Sequence, residues 1–319
     1  GFNILLHGEA GTGKTVVIYK TIEAFPDKNI GVIAFSAMAA QHVGGETIHS
    51  FFKIESKNRF NIDESIVLTA EVIQRIRALD ILIIDEVSMV RADLFSHVDR
   101  MMKEAMGNNK PFGGKQIILV GDFLQLGPFA DQEDDDYITE KLGGLYSFQT
   151  ASWKALNLQA VNCNVVYRQE QNDEFLLALA ITRRGFQPPL AHFKQAQEEL
   201  FFIFDKVFQN ISDKPKAGDI SLCMTNEDAA GINEMFEDKI KGDAETIKGV
   251  LTGDFPDRPV KVFLKVKVSS RVMITVNDRN GRYVNGDRGY VTEIDAEGAR
   301  VKVLLDRGKE LWLDQMTFS

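Results

Sequence analysis

The segment Gly8–Thr15 constrains the fold of this chain most, because its residues, GEAGTGKT, match the phosphate-loop pattern G-x-x-x-x-G-K-[ST] in full. Glycines let such a loop wrap its backbone N–H groups around phosphate oxygens, and a helix that begins there adds its positive dipole end. Lys14 then reaches the β- and γ-phosphates, and the Thr15 hydroxyl ligates magnesium. We therefore predict a site for ATP and Mg2+ formed by Gly8, Glu9, Ala10, Gly11, Thr12, Gly13, Lys14 and Thr15.

The residues around this loop alternate between short apolar runs and amphipathic stretches. The apolar runs suit strands that are buried on both faces of a parallel sheet. They are Phe2–Gly8, Asn29–Ser36, Asp80–Glu86 and Lys115–Asp122. Helical patterns lie between them, at Thr15–Phe25 and Arg91–Met106. This order predicts an α/β fold with right-handed crossovers, interrupted by a small insertion at Phe51–Ala78.

The second half of the chain has a different pattern. After about Leu158 the α/β rhythm partly restarts, and from about Val260 apolar and polar residues alternate between turn signals such as Asn280-Gly281. The restarted segments are the apolar runs Val161–Tyr167 and Asp219–Asn226 and the helical stretches Asp173–Arg183 and Leu190–Leu200. We predict a second, incomplete α/β sheet followed by a small antiparallel β-barrel.

Two strand ends carry further candidates for nucleotide chemistry. The apolar run in ILIIDEVSMV ends at Asp85 and Glu86. Asp85 is suited to hold magnesium, and Glu86 is suited to orient and deprotonate a water as the general base. Beyond the next apolar run, Gln125 of GDFLQLGP is placed to contact the γ-phosphate, although a glutamine that faces solvent fits these residues equally well.

Composition sets wide limits on function. The net charge of −9 does not indicate a nucleic-acid binder, but a motor that releases its strand at each step needs only a local basic groove. Cys163 and Cys223 are too few and too far apart for a disulfide framework or a zinc site, which favours a reducing compartment. No apolar run is long enough to span a bilayer. We expect a cytoplasmic protein of bacterial or phage origin without a membrane partner.

Seven sequence blocks follow one another along nearly the whole chain. They are GEAGTGKT, AFSAMAAQHVGGETIHSFF (Ala34–Phe52), IIDEVSM, GDFLQLGP, YRQ (Tyr167–Gln169), LCMTNEDAAGIN and GRYVNGDRGYV. In this order they resemble the Pif/RecD-like 5′-to-3′ branch of superfamily-one helicases. The GGETIHSFF block is the most specific of them, since generic phosphate-loop ATPases lack it.

This resemblance implies two RecA-like domains, with ATP bound in the cleft between them, and a small β-barrel inserted in the second domain. The implied boundaries are residues 1–159 for the first domain, with a small insertion at about 51–79, then 160–252 for the start of the second domain and 253–319 for an SH3-like β-rich insertion. One parallel sheet is then complete and the other incomplete. The implied activity is that of an ATP-dependent DNA helicase, a monomer that binds single-stranded DNA and duplex junctions.

The resemblance also assigns roles to individual side chains. It implies that Gln125 couples the nucleotide state to the grip on DNA, and that Arg168 stabilises charge on the transferring phosphate. Hydroxyl groups for phosphates and an aromatic ring for a base would contact the single strand. These candidates are Ser36, His49, Ser50, Phe51, Thr225 and Asn226. Simpler alternatives remain open, namely a surface ion pair for Arg168, a core position for Phe51 and a packed, hydrogen-bonded His49.

The chain departs from the family pattern at several points. Ser36 stands where threonine is usual and keeps the hydroxyl, whereas Gly127 replaces a usual proline and is expected to loosen the loop after Gln125. The upstream segment that usually contacts the adenine, the late DNA-binding motif and a second phosphate-contacting arginine do not appear between Gly1 and Ser319. We therefore expect a truncated motor that binds nucleotide and DNA but turns over slowly or not at all.

Two other classes of protein compete with this interpretation, besides small-molecule kinases, which carry phosphate loops but lack the Asp-Glu and Gly-Asp-x-x-Gln strand ends in this arrangement. One is a phosphate-loop ATPase that does not act on nucleic acid, against which the TIHSFF block argues. The other is a nucleic-acid-binding fragment with weak catalysis, against which the intact Lys14, Thr15, Asp85 and Glu86 argue.

Overall fold

The computed structural model describes residues 1–54, 59–165, 182–183, 221, 223, 225–248, 263–275, 278, 281–284 and 286–314. The chain divides into two compact units, Gly1–Phe208 and Gln209–Ser319. Several predicted elements lie wholly or partly outside the described residues, among them most of Asp173–Arg183, all of Leu190–Leu200 and half of Asp219–Asn226. In the part of the chain that is described, no helix has the length and apolar content needed to cross a bilayer.

The first unit is built on one parallel sheet. Its strands are β1 (Ile4–Gly8), β2 (Ile30–Ala34), β3 (Glu46–Thr47), β4 (Ile81–Asp85), β5 (Gln116–Gly121) and β6 (Gln159–Cys163). The six strands lie in the order β3-β2-β4-β5-β1-β6, and every neighbouring pair is parallel. The parallel α/β sheet predicted from the apolar runs is therefore confirmed.

Helices connect these strands. They are α1 (Lys14–Ala24), α2 (Ala37–His42), α3 (Ile48–Phe52), α4 (Ala70–Ala78), α5 (Ala92–Met106), α6 (Gln132–Leu142) and α7 (Ala151–Ala155), with short 3-10 turns at Val87–Met89, Pro111–Gly114 and Ser147–Gln149. The two helices predicted between the early strands, at Thr15–Phe25 and Arg91–Met106, correspond to α1 and α5.

Apolar side chains cover both faces of the central strands. Strand β4 is buried along its whole length. Leu82 and Ile84 point into the larger core with α4 and α5, whereas Ile81 and Ile83 point into a second cluster that includes Ile18 of α1. Successive side chains of a strand point to opposite faces, so an uninterrupted apolar run is what a strand between two layers requires.

The described residues of the segment predicted as an insertion, about 51–79, contribute to the core of the first unit. Phe52, Phe60, Val72 and Ile76 belong to the same buried cluster as Leu82 of the sheet. The mixed polarity of this stretch follows from its position at the surface of the core. Its apolar residues pack into the buried cluster, while charged residues of α4 such as Glu71 stay exposed.

The boundary expected between residues 159 and 160 needs correction. It falls inside β6, which pairs with β1 from Ile4↔Gln159 to Gly8↔Cys163. The apolar run Val161–Tyr167 therefore begins as the edge strand of the first sheet rather than as the first strand of a second sheet. Periodicity alone could not reveal this, since any buried parallel strand has the same pattern.

The described part of the second unit is mainly antiparallel. Its elements are α8 (Asn226–Glu237), β7 (Glu245–Lys248), β8 (Phe263–Val266), β9 (Arg271–Met273), β10 (Arg288–Asp295), β11 (Arg300–Leu305) and β12 (Glu310–Leu313). Strands β12-β11-β10-β9 form a four-stranded sheet, and β7 and β8 form a two-stranded one. The predicted antiparallel region is confirmed.

The β-rich region begins earlier than residue 253. Strand β7 pairs with β8, and its Ile247 packs in one cluster with Val266, Val291 and Val303. The side chain of Lys267 also donates hydrogen bonds to the carbonyls of Glu237, the last residue of α8, and of Ile240 just beyond it, at 3.0 Å each. The expected second RecA-like sheet falls mainly on residues outside the described ones and stays a prediction.

We expect Asp99 of α5 to be important for the stability of the first unit. Its buried carboxylate accepts hydrogen bonds from the Phe112 backbone N–H, the Ser152 hydroxyl and the Lys103 ammonium, each at 2.7 Å. Asp99→Ala leaves the buried Phe112 N–H unpaired, which should lower the free energy of unfolding by about 2–4 kcal/mol. Urea unfolding followed by circular dichroism measures the change. Glu104→Ala, at an exposed position of the same helix, is the matched control and should change it by less than about 0.5 kcal/mol.

Candidate functional site

The candidate residues lie where parallel strands of the first sheet end. The phosphate loop follows β1, Asp85 ends β4 and is followed by Glu86, and Asp122 follows β5, and these three strands are neighbours in the sheet. Ser36 follows β2, and Ser50 lies in α3 directly after β3, on the adjoining side of the same sheet. Carboxyl ends of parallel strands form one edge, where ligands of open α/β sheets bind. The fold therefore brings these candidates to a single edge.

The phosphate loop has the backbone that its glycines allow. Gly11 and Gly13 have φ angles of 76° and 83°, in the left-handed region that glycine adopts without strain. A Cβ at Gly8 would lie 2.5 Å from the carbonyl oxygen of Cys163 on β6, so only glycine fits against that strand. The Lys14 ammonium donates hydrogen bonds to the carbonyls of Gly8 and Glu9, at 2.9 Å each, and is thereby held at its own loop.

Asp85 is a buried carboxylate whose surroundings supply little positive charge. Its side chain is only 7% exposed, and burial raises its pKa to about 6. The Glu86 N–H, which donates at 2.9 Å, and the charge of Lys14 act in the opposite direction, while the charge of Glu86 adds to the rise. Since desolvation prevails, a positive ion beside Asp85 would stabilise the carboxylate and lower this pKa again.

The residues fit a magnesium ion that is shared with a nucleotide. Thr15 lies in the first turn of α1, which follows β1, and it is exposed. Asp85 ends β4, which is separated from β1 in the sheet by β5 alone. Among the described residues, no cluster of three or more His, Cys, Asp and Glu side chains forms a closed metal site. Magnesium usually takes one or two carboxylates together with phosphates of the substrate, so this sparse set of protein ligands is what it requires.

Glu86 stands out by its backbone. Its φ and ψ angles are 51° and 41°, in the left-handed region that costs a residue with a side chain about 1–3 kcal/mol. This conformation turns the chain sharply after β4 and starts the 3-10 turn Val87–Met89. Glu86 remains half-buried beside the buried Asp85. The turn thus separates two adjacent carboxylates into different environments.

Gln125 belongs to a hydrogen-bonded group around Asp122. Its side-chain amide donates to Asp122 Oδ2 at 2.9 Å, and the backbone N–H of Leu124 donates to Oδ1 at 3.2 Å. Arg183 donates to both carboxylate oxygens, at 2.7 and 2.8 Å. Burial by itself would raise the pKa of Asp122, but the hydrogen bonds from Arg183, Gln125 and Leu124 and the charge of Arg183 together lower it.

Sequence reasoning missed Arg183. It lies in the stretch ITRRG, far from every motif along the chain, and two successive arginines at the end of a helical pattern give no signal of a buried ion pair. Tertiary contacts alone bring it to Asp122.

The loop after Gln125 also corrects an expectation. Gly127 was expected to loosen this loop, but a Cβ at Gly127 would lie 2.6 Å from the Tyr146 hydroxyl oxygen. Glycine at this position permits a close contact with an aromatic side chain instead. The Tyr146 ring in turn stacks on Phe148, with centroids 5.0 Å apart.

The candidate DNA contacts near β2 and β3 differ in availability. The Ser50 side chain is exposed and its hydroxyl donates to Glu46 at 3.0 Å. The Ser36 oxygen accepts from the Ala39 N–H at 3.2 Å and so caps α2. His49 is half-buried, and burial, together with the positive charge of Arg91, lowers its pKa, so that it is neutral at pH 7. Ser50 is therefore the most accessible of the three.

Phe51 does not have the exposure expected of a ring that stacks on a base. Only 5% of its surface is exposed, it contacts Phe52 edge to face, and the Arg75 guanidinium lies 4.4 Å from its ring centroid. The alternative interpretation, a core side chain, agrees with this structure. The sequence left both interpretations open, because an apolar pair after a polar motif has the same sequence whether it faces DNA or the core.

The remaining site candidates lie elsewhere in the chain. Thr225 caps α8 by accepting from the Asp228 N–H at 3.1 Å, and its hydroxyl donates to the Asp228 carboxylate at 2.7 Å. Asn226 is the first residue of α8, but its side chain lies outside the described part of the chain. Arg168 lies outside the described residues altogether.

Comparisons with known proteins identify relatives of this chain. The profile of the PIF1-like helicase family matches residues 1–176. The ATP-dependent DNA helicase Pif1 of Campylobacter jejuni is 26% identical, and the match covers 99% of this chain and 72% of that protein. The human ATP-dependent DNA helicase PIF1 is 28% identical over 93% of this chain, which spans only 45% of the human protein.

Solved structures agree with these relationships. A structure of Bacteroides Pif1 bound to single-stranded DNA has a TM-score of 0.81 at 26% identity, and the match covers 98% of this chain and 70% of that one. A structure of two coordinating Pif1 helicases on forked double-stranded DNA has a TM-score of 0.83 at 27% identity, with coverage of 100% and 73%. The mixed fold, with a parallel sheet and separate antiparallel sheets, is therefore that of these helicases.

We predict that Asp85→Asn stabilises the metal-free protein at alkaline pH. A carboxyl whose pKa rises from 3.8 to about 6 on folding takes up a proton in the folded state, so the wild type loses stability as pH rises from about 4 to about 6 and does not regain it above. The asparagine removes this loss and can still accept the Glu86 N–H.

The free energy of unfolding of Asp85→Asn should exceed that of the wild type by about 2–3 kcal/mol at pH 8 and by about 1 kcal/mol at pH 4.5. Urea unfolding in buffer with a chelator measures both values. Asp27→Asn, which also removes one negative charge but at an exposed position, should show no such pH dependence. Equal stability of Asp85→Asn and wild type at pH 8 would contradict the argument.

Proposed function

This chain belongs to the PIF1-like helicase family, and on that premise we propose that it is an ATP-driven motor that binds single-stranded DNA, moves 5′-to-3′ and unwinds duplex from a junction. The chain spans 72% of the Campylobacter relative and 45% of the human one. The main support is the common edge at which the phosphate loop, the pair Asp85–Glu86 and Gln125 follow neighbouring parallel strands.

The proposed chemistry is in-line attack of water on the γ-phosphate of ATP. Glu86, which is half-buried and has a left-handed backbone conformation, orients the water and accepts its proton. The Lys14 ammonium exchanges its two carbonyl partners for phosphate oxygens and balances the developing charge. Arg168 is proposed for the same task from the family resemblance alone.

Magnesium supplies charge neutralisation on the phosphates when it is bound, and we propose that Thr15 and Asp85 hold it. The buried, cation-deficient environment of Asp85 supports this assignment. Burying a carboxylate without a positively charged partner destabilises the folded protein. A role in binding the magnesium–nucleotide complex gives a reason for the buried position of Asp85.

The proposed DNA groove runs over the ends of β2 and β3. Ser36 and Ser50 offer hydroxyls for phosphates, and the neutral His49 offers a hydrogen bond rather than a charge. Thr225 and Asn226 are proposed as further single-strand contacts from the family resemblance alone. Cycles of ATP binding and hydrolysis would then change the grip on the strand and move it. The monomeric state and the cytoplasmic location stay predictions.

We expect ATP hydrolysis to depend on the phosphate loop and on Glu86 in different ways. Lys14→Ala should lower both nucleotide binding and hydrolysis, the latter by about 100-fold or more. Glu86→Gln should bind ATP as the wild type does but hydrolyse it about 100- to 10,000-fold more slowly, because only the proton acceptor is lost. Steady-state phosphate release, with and without oligothymidine, measures hydrolysis, and a fluorescent ATP analogue measures binding.

Lys20→Ala is the matched control for the lysine, since Lys20 lies on the same helix but pairs with Glu23 in solvent. Its hydrolysis should equal that of the wild type. Hydrolysis by the wild type that responds to none of these substitutions would refute the proposed site. Hydrolysis that is sensitive to Lys14→Ala but indifferent to oligothymidine would instead indicate an ATPase that does not act on nucleic acid.

Single-strand binding should depend on salt and on Ser50. Phosphate contacts release counterions, so the logarithm of the affinity for oligothymidine should fall linearly with that of the salt concentration, with a slope of about −0.7 per phosphate neutralised. Ser50→Ala should weaken binding by about 2- to 5-fold at fixed salt, as expected for one lost hydrogen bond to a phosphate. Fluorescence anisotropy measures both.

Thr139→Ala provides the matched control for Ser50. The exposed hydroxyl of Thr139 donates to Asp135 four residues earlier, as that of Ser50 does to Glu46. Thr139 lies on α6, which follows no strand of the proposed groove directly. If both substitutions weaken binding equally, or neither does, Ser50 is not a specific contact.

A further inference from the structure

The guanidinium of Arg183 joins two parts of the nucleotide site that are far apart in sequence. Its two terminal nitrogens donate to the two oxygens of Asp122, at 2.7 and 2.8 Å, and its Nε lies 3.4 Å from Oε1 of Glu9 in the phosphate loop. A planar guanidinium that meets a carboxylate with two parallel hydrogen bonds is among the strongest and most directional pairs in proteins. Arg183 therefore ties the loop after β5 to the loop after β1.

Asp122 is the link between this arginine and Gln125. Its side chain is 3% exposed, and its Oδ2 accepts hydrogen bonds from both Arg183 and the Gln125 amide. A buried carboxylate keeps one orientation only while its partners are in place, because loss of a charged partner leaves an uncompensated charge that must be protonated or rehydrated. The direction of the Gln125 amide thus depends on a group that it does not touch.

We propose that Arg183 is a positioning residue for nucleotide recognition, which orients Gln125 through Asp122 and holds the phosphate loop at Glu9. This inference rests on the proposed function, since it assumes that Gln125 contacts the γ-phosphate. A diphosphate lacks the group that Gln125 would contact. Arg183 consequently contributes to the preference for the triphosphate over the diphosphate and has little effect on affinity for the diphosphate.

The arrangement requires arginine rather than any positive charge. Lysine keeps the charge but presents a single ammonium, which cannot donate to both oxygens of Asp122 and lie against Glu9 at the same time. Arg183→Lys therefore separates the positioning role from simple charge compensation. It also leaves the buried Asp122 with a cation nearby, which protects the fold better than a neutral substitution.

The experiment compares the affinities of the chain for fluorescent derivatives of ADP and of a non-hydrolysable ATP analogue. Arg183→Gln and Arg183→Lys should each lower the ratio of triphosphate to diphosphate affinity by about 5- to 20-fold, the size expected when one hydrogen bond to a charged group is lost. Gln125→Ala should lower the ratio by a similar factor. The double variant Arg183→Lys with Gln125→Ala should lose no more than either single variant, because both act on one contact.

Arg271→Gln provides the matched control. Arg271 also donates to both oxygens of an aspartate, Asp306, at 2.6 and 2.7 Å, but in the second unit. This substitution should leave the ratio unchanged. Thermal unfolding of each variant shows whether it is folded, and Arg183→Lys carries the test if Arg183→Gln is not.

The outcomes separate this inference from the proposed function. If the Arg183 variants weaken both nucleotides equally, or if their effects add to that of Gln125→Ala, Arg183 has only a structural role and the inference is overturned. The inference is likewise overturned, with the proposed function intact, if Gln125→Ala changes the ratio and Arg183→Lys does not. If Lys14→Ala also leaves nucleotide binding unchanged, the proposed function itself fails.

Discussion

Parallel pairing of β1, β4 and β5 is the constraint on which the rest of the first unit depends. A parallel sheet must be covered on both faces, and the alternation of Ile81 and Ile83 with Leu82 and Ile84 between two apolar clusters provides that cover. Because parallel strands all run the same way, their following loops emerge at one edge. The phosphate loop, Asp85 and Asp122 meet there as a consequence of strand direction.

The pKa values of the two buried aspartates Asp85 and Asp122 at this edge are shifted in opposite directions. Asp122 is surrounded by donors and its pKa is lowered, whereas burial raises the pKa of Asp85 to about 6 and its few partners do not compensate. A carboxylate that is fully satisfied by the protein serves as a structural hub. A buried carboxylate without enough positive charge around it, such as Asp85, is instead suited to bind a cation. The same residue type thus serves two purposes, set by its neighbours.

Backbone conformation adds a further distinction at the same edge. Gly11 and Gly13 adopt left-handed angles at no cost, while Glu86 adopts them although it carries a side chain. The glycines of the phosphate loop are therefore unstrained, whereas Glu86, which has a proposed catalytic role, carries backbone strain. The strain falls on the residue whose side chain must point in a defined direction.

Most of the first sheet could be predicted from the sequence, because apolar runs, glycine spacing and the acidic pair at Asp85 are local signals that any parallel sheet with a phosphate loop must contain. Other features depend on distant contacts. Whether Phe51 faces DNA or Arg75, whether the strand at Gln159–Cys163 joins the first sheet or opens a second, and which cation holds Asp122 are settled by residues remote along the chain. Local sequence accounts for the chemistry of the loops at the strand ends. The partners of those loops follow from tertiary contacts, since burial and ion pairing depend on three-dimensional proximity, which local periodicity does not encode.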